Sequence, residues 1–459
     1  MNRRDFLRRA GGGAVATVVL GGGGFGISRA AAALQDPRVR RFRSRPDLRP
    51  PAAWVTGSES GTPGHVFYTP MGGPGQTGLL ILDARGEPVW FEPSPKGLAR
   101  LDFRVQTYRG RPVLTWWEGQ VGKGYGKGHY VLADETYAEI ARVQGRDGQR
   151  GDLHDFQLTP EGTALFTCYS KVGKLVEGVI EEVDVESGRL LLQWHSLDHV
   201  PVEESYRTAE SFGKAGFDYV HLNSVDVDTD GDLIVSGRHT WTVYKVDRRS
   251  GEVRWRLGGK HGDFELGERA RFAYQHDARR HPDGTMTIFD NGSEPAVEPR
   301  SRALRLALDT EAMRAEALWE WTHPRALLAN AMGSVQALPD GGAFVGWGAA
   351  GGASEFAPDG FVRWDARFPK GAISYRSFRS PWTGEPKEKP RAVREGRTVH
   401  ASWNGATQVA AWEARRGGRA VGRAASAGFE TAIPVGAAAG PLSIVALAAD
   451  GSTLATASV

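Results

Sequence analysis

The chain contains a single cysteine, Cys168, so no intrachain disulfide can form and stability has to come from a packed core. It also lacks any apolar run long enough to cross a bilayer. The longest candidate, 14–20, is short and set among glycines, which excludes a polytopic membrane protein and predicts no stable membrane insertion. Lysine is scarce, 11 of 57 basic residues, and those 57 face 54 acidic ones. The small net charge of +3 resides in the first 33 residues, where Arg3, Arg4, Arg8, Arg9 and Arg29 oppose only Asp5. The remainder is close to neutral, which removes any bulk electrostatic case for nucleic acid. No Gly-X-Y period accompanies the 60 glycines, and 40% of residues are hydrophobic, so neither a collagen nor a disordered chain fits. No long amphipathic helix is legible. A phosphate-binding loop is missing too. The stretch GKGYGKG at 122–128 puts glycine at every second position and has neither the Lys-Ser/Thr ending of a P-loop nor GxGxxG spacing. It reads as a flexible strand connection, and no nucleotide donor or other cofactor is expected.

What is present begins with an address. Arg3 and Arg4 in NRRDFL, the mild apolar stretch at 14–20 and the alanine run at 30–33 form a twin-arginine signal over residues 1–33. That pattern predicts a partnership with the twin-arginine export machinery and a periplasmic, extracellular or cell-envelope location. No cysteine follows it to carry a lipid. Six arginines between 38 and 49 alternate with Asp and Pro, so residues 34–64 read as a surface-hugging N-terminal arm.

Two phrases recur after it. The first is a strand, a Gly-containing turn and a second strand, as in DFRVQTYRGRPVLTWW (102–117), HLNSVDVDTDGDLIVSGRHT (221–240) and QHDARRHPDGTMTIFDNG (275–292). The second is an apolar strand, an Asp-centred turn and a strand often ending in Trp, as in LLILDARGEPVWF (79–91) and VYKVDRRSGEVRW (243–255). The turn glycines of the first phrase fall at 110, 162, 231, 284 and 341, a spacing of 52–69 residues. Two hairpins per unit are the blade of a propeller. The expected fold is therefore all-β: a six-bladed β-propeller over 65–370, a linker over 371–394, and a small C-terminal β-sandwich over 395–459. Asp226, Asp228, Asp230 and Asp232 imitate the start of a calcium loop, but position twelve is Gly237 and the run reads as a solvated hairpin turn.

Propeller topology brings the first residue of each innermost strand to the channel mouth, together with the end of the second strand. In three consecutive blades that first residue is a histidine: His154, His221 and His276. Arg238 and His239 stand at the end of one second strand, Tyr169 and Ser170 at another, and Asn291 at a third; Asn223 follows His221 by two. Three imidazoles can hold a transition metal. Alternatively, one is a nucleophile and the others hold an anion. Arg238 beside them favours an oxyanion, because a guanidinium repels a cation and grips planar oxygens in two places. No metal is expected.

These residues carry a resemblance. His154-Asp155, HLNSV at 221 with Gly237-Arg238, and QHDARRHPDG with FDNG at 275–292 resemble the arylsulfotransferase family over roughly 50–370. The resemblance implies a six-bladed propeller that moves a sulfuryl group from a phenolic sulfate ester to a phenol, without a nucleotide donor and through a sulfohistidine. Matched in order along the chain, His276 corresponds to the histidine that is transiently sulfated. His154, His221, Asn223 and Arg238 correspond to residues around the sulfate, and Ser334 to a threonine of the next blade. The better-known enzymes carry an accessory domain before the propeller and a disulfide near the nucleophile; here the extra domain follows, and the lone Cys168 has no partner. Trp117 and Tyr125 are candidates to stack on the phenol, with core packing as the alternative. A hydrolase on the same framework and a non-catalytic binding propeller are the competing functions.

Overall fold

The computed structural model describes residues 37–57, 61–122, 124–213, 216–437 and 440–459. The signal expected over 1–33 lies outside the described residues. No helix among them is long and apolar enough to cross a membrane.

Strands between 65 and 380 are arranged in four-stranded antiparallel units, two of which join through Gly128 and Gly151 into one nine-stranded sheet, while Phe217–Asp218 and Glu265–Leu266 add short parallel strands at the edges. Their innermost strands are Ala99–Tyr108, Gly151–Leu158, Leu222–Val227, His276–Arg280, Ser334–Ala337 and Ser377–Ser380. Each of these lies beside the innermost strands of the units before and after it, and Ser377–Ser380 lies beside Ala99–Tyr108, so the circuit closes. The fold is an all-β propeller. The turn glycines that marked the repeat, Gly110, Gly162, Gly231, Gly284 and Gly341, all take φ between 75° and 90°. A Cβ on Gly231 or Gly284 would meet nothing, so the left-handed backbone of the hairpin, and not crowding, is what requires glycine there. Two tryptophans of outer strands tie their units to the next: Trp194 Nε1 donates to the Gly251 carbonyl at 2.9 Å and Trp364 Nε1 to that of Ala84 at 2.8 Å.

Two stretches differ from expectation. The glycine alternation at 122–128 is not a flexible connection but part of a long hairpin, Arg111–Gly122 against Tyr125–Ala133. A Cβ on Gly119, Gly126 or Gly128 would lie 2.5–2.7 Å from the Trp117 indole, so the alternating glycines form a bed for that ring. Trp117 is fully buried there and donates from Nε1 to the Gly151 carbonyl at 2.9 Å, which makes it a core residue. The second difference is Ser377–Ser380, which falls inside the expected linker and pairs with His65–Tyr68 as the innermost strand of that unit. A propeller whose chain begins at an inner position would leave an open sheet edge, and this strand covers it. Four residues reading Ser-Phe-Arg-Ser carry too little apolar pattern to announce a strand.

The C-terminal segment forms a three-stranded sheet (Arg391–Glu395, Thr398–Ser402, Glu430–Pro434) and a four-stranded one (Ala411–Arg416, Arg419–Ala425, Ser443–Leu447, Thr453–Ser458). Val399, Ile433, Trp412 and Ile444 from the two sheets share one core. The N-terminal arm lies against this domain: Ser44 N and Oγ both donate to Glu430, and Phe42 meets Phe429 with ring centroids 4.1 Å apart. Further along, Trp54–Thr56 adds an outer strand to the blade that ends at Val362–Arg367.

Candidate active site

The innermost strands lose their regular register where the histidines lie. The Gly151–Leu158 strand slips between the partners Phe166 and Cys168, Leu222–Val227 slips between Leu222 and Ser224, and His276–Arg280 slips between His276 and Arg279. A bulge turns a strand and re-aims its side chains. The result is a cavity of about 330 Å³ lined by His154, His221, Arg238, His239, His276 and Tyr375, with Leu153, Phe212 and Met332 among its apolar walls. The rings of His154 and His221 stand edge to face with centroids 4.8 Å apart, and those of His221 and His239 are 4.6 Å apart.

What backs each imidazole differs. His154 Nδ1 is paired with the Asp152 carboxylate, and His221 Nδ1 lies 2.5 Å from that of Asp218. His276 Nδ1 instead faces the side-chain oxygen of Asn291 at 2.7 Å. The Asn291 amide nitrogen is committed to the carbonyls of Ala329 and Met332, each at 2.9 Å, so its oxygen can only accept. His276 therefore carries its proton on Nδ1 and its lone pair on Nε2, which receives the Met332 N–H at 3.2 Å. Burial is the main force holding His221, His239 and His276 well below the ordinary histidine range, and the Arg238 charge adds to it at each. Burial likewise raises the Asp218 carboxyl.

Arg238 lies over the Tyr274 ring, donates to the Asn330 carbonyl at 2.8 Å, and bonds His239 Nε2 from Nη1 at 2.9 Å. Asp218, His221 and His239 bring possible ligand atoms within 4.8 Å of one another, a spacing a cation could use. Both nitrogens of His239 are spent, however: Nε2 on Arg238 and Nδ1 on the Asp218 carbonyl at 2.7 Å. With a guanidinium in contact, the donor set suits an anion better than a metal.

One residue further along the same strands, Asp155 and Asp277 join Asp102 in a buried cluster with Arg104, Arg279 and Arg376. Three carboxylates balance three guanidiniums. Arg376 alone reaches Asp155 at 2.8 Å, Asp102 at 3.2 Å and the Asn223 carbonyl at 2.9 Å, and so joins several innermost strands below the cavity. The surrounding guanidiniums pull the Asp155 carboxyl well below the usual carboxylate range despite its burial.

Of the residues named from sequence, His154, His221, Arg238 and His276 share this cavity. Asn291 stands behind His276 as its partner. Asn223 is fully buried, with its amide nitrogen on the Gln275 carbonyl at 2.6 Å and its side-chain oxygen without a partner among the described residues. Ser334 is not a wall of the cavity. Its hydroxyl donates to the Ser377 carbonyl at 3.0 Å and accepts the Ser377 N–H at 3.1 Å, a stitch between the last blade and the closing strand. Tyr125 lies over Tyr169, ring centroids 5.0 Å apart and nearly parallel. Sequence reasoning did not find Asp152, Asp218 or Tyr375. The first two left a signal, an acidic residue two or three places before a candidate histidine; Tyr375 left none.

The model of the arylsulfotransferase family matches residues 104–369, more than half of the chain and all the blades that bear the histidines. The chain belongs to the arylsulfotransferase family. Membership implies sulfuryl transfer between aryl sulfates and phenols as the general activity. No curated protein matches the sequence. Among solved structures, the chain is similar to a protein of unknown function from Bacteroides caccae at 14% identity, with a TM-score of 0.43, covering 69% of this arylsulfotransferase-family chain and 98% of the other. It is also similar to virginiamycin B lyase from Staphylococcus aureus crystallised with quinupristin, at 9% identity and a TM-score of 0.38, covering 77% and 97% of the two chains.

Proposed function

We propose that this member of the family is an exported arylsulfotransferase built on a six-bladed propeller, which works by a ping-pong route through a sulfated His276. The observation that carries the reading is the state of His276: a neutral imidazole, its Nδ1–H held by an amide oxygen, its Nε2 capped only by the Met332 N–H, on a cavity that Arg238 shares. Once the Met332 N–H, 3.2 Å away, releases it, the Nε2 lone pair attacks the sulfur of an aryl sulfate, and the sulfur–oxygen bond to the ring breaks, its electron pair leaving with the phenolate. The reaction resembles phosphoryl transfer, in which positioning and stabilisation of the oxygens supply most of the rate. Arg238 holds nonbridging oxygens. His221 is kept neutral by burial and by neighbouring positive charge, so the proton-transfer role toward the phenolate falls to His154, whose Nδ1 is paired with the Asp152 carboxylate. His154 takes a proton back from the acceptor phenol as its oxygen attacks the sulfur and the S–N bond breaks.

The amide behind His276 matters for the second step. A carboxylate there would neutralise the sulfated imidazolium and make it persist; Asn291 leaves its charge uncompensated and the group ready to depart.

The test is incubation of the purified protein with 4-nitrophenyl sulfate, with and without phenol. Donor alone should release no more than one equivalent of nitrophenol and leave one SO₃ on the peptide containing His276; phenol should convert the burst to turnover. Steady release with donor alone would mark a hydrolase, and no release a binding protein. Export is tested separately: Arg3→Lys with Arg4→Lys should strand the precursor in the cytoplasm, and normal export of that form would refute the twin-arginine assignment.

A further inference from the structure

Tyr375 lies between two of the histidines. Its ring stands edge to face with that of His154, centroids 5.5 Å apart at 83°, and with that of His276, 6.3 Å apart at 70°. It lines the cavity, is only 1% exposed, and its hydroxyl has no hydrogen-bond partner among the described residues. Two other buried phenols nearby are engaged: Tyr169 donates to the Leu222 carbonyl and Tyr130 to that of Asp152, each at 2.5 Å. A buried hydroxyl without an acceptor destabilises a fold, and phenylalanine would fill the same space without that cost. The hydroxyl therefore points to an acceptor that arrives with a ligand.

We infer that Tyr375 Oη donates a hydrogen bond to a nonbridging oxygen of the sulfuryl group while that group sits on or beside His276 Nε2, which makes Tyr375 a further catalytic residue. The inference rests on the anion reading of the cavity given above. The choice of oxygen follows from the geometry of displacement. In-line attack by Nε2 places the leaving phenolic oxygen on the far side of the sulfur, whereas the nonbridging oxygens spread around the axis, beside the His276 ring. The Tyr375 ring, packed against both His154 and His276, is beside that axis. Tyr375 is suited to donate and not to exchange its proton, since burial and the carboxylates of Asp102, Asp155 and Asp152 keep the phenol protonated.

The experiment compares the unsubstituted protein with Tyr375→Phe, which removes one oxygen and keeps the ring. Inorganic sulfate is the probe for binding, by calorimetry, and the nitrophenol burst from 4-nitrophenyl sulfate is the probe for chemistry. The expected results are a sulfate dissociation constant raised about 10–100-fold, as for loss of a hydrogen bond to a charged group, and a burst slowed about 10²-fold or more. The thermal midpoint should stay level or rise, a result a merely structural tyrosine would not produce. A second variant, with 3-fluorotyrosine at 375, keeps the shape and strengthens the donor, and should bind sulfate more tightly; it decides the matter if the Phe form does not fold. Sulfate affinity and burst rate within twofold of the unsubstituted protein would overturn the inference, as would a failure of that protein to bind sulfate at all. Tyr375-dependent sulfate binding without any nitrophenol release would preserve the contact while refuting the proposed transferase. Normal burst and turnover in Tyr375→Phe would refute only the contact.

Discussion

Asn291 and His276 are locked in one relationship: the amide nitrogen of Asn291 is spent on two carbonyls, so its oxygen must take the Nδ1–H of His276 at 2.7 Å, and the lone pair of the imidazole is left on Nε2. The tautomer follows from hydrogen-bond bookkeeping alone. Replacing Asn291 by Asp should disturb it in a specific way. A carboxylate at that place raises the affinity of His276 for a proton and stabilises a sulfated imidazolium. In quenched-flow experiments the sulfated form should therefore accumulate and pass its group to phenol at least about tenfold more slowly, the effect of about one pKa unit of added stabilisation. Unchanged transfer to phenol would show that the amide has no part in the second step.

Arg238 supplies planar, two-pronged donors that an ammonium cannot reproduce. Arg238→Lys should lower the burst rate by about 10²–10³-fold, the usual cost of a lost oxyanion donor. The test is the burst measured over a range of donor concentrations, since a change confined to half-saturation would mean that the residue only binds.

The buried histidines make a prediction about pH. Above about 6.5 the unfolded chain and the native protein both carry these imidazoles neutral. Below that value the unfolded chain takes up protons that His221, His239 and His276 refuse in the native state, because burial and Arg238 hold them well below the ordinary range. Unfolding is then favoured by mass action, so stability present above about 6.5 is lost as pH falls toward the native values. The thermal midpoint should fall between pH 7 and pH 5, and His276→Asn should flatten that fall. A midpoint that holds level across this range would contradict the assignment of neutral imidazoles.

Arg376 is the hub of the buried ion cluster. Arg376→Met leaves three carboxylates facing two guanidiniums, and an uncompensated buried charge of that kind costs about 3–5 kcal/mol. Urea unfolding should show a loss of this size. A loss under about 1 kcal/mol would mean that water or a shifted pKa relieves the imbalance.

Chelation separates the anion reading from the metal reading of Asp218, His221 and His239. Exhaustive treatment with a chelator should leave the nitrophenol burst and the thermal midpoint where they were. Loss of both, with recovery on adding zinc, would overturn the anion site.

The sequence by itself determined the repeat, because a hairpin turn with φ near 80° is open to glycine and costly to most other residues, and five such glycines recur in step. It also brought His154, His221 and His276 to the same end of the channel, since strand order alone carries corresponding stretches of successive blades there. The expectation that each opens its strand holds only for His276, because His154 is the fourth residue of Gly151–Leu158 and His221 stands just before Leu222–Val227. Tertiary structure decided the rest. Ser377–Ser380 became the innermost strand of the blade that begins the ring only because the ring had an edge to close, a need that nothing local in Ser-Phe-Arg-Ser expresses. Ser334 was drawn to the Ser377 backbone by that same closure. Trp117 sank into a bed of glycines, two of which, Gly126 and Gly128, lie on the opposite strand and meet it only when the hairpin folds. The different partners of three similar histidines, two carboxylates and one amide, are contacts between side chains set by bulges and strand ends, and periodicity does not encode them. Tyr375 reaches the histidines from more than 200 residues away along the chain, at least from His154, for the same physical reason: closing the ring brings the last inner strand beside the first.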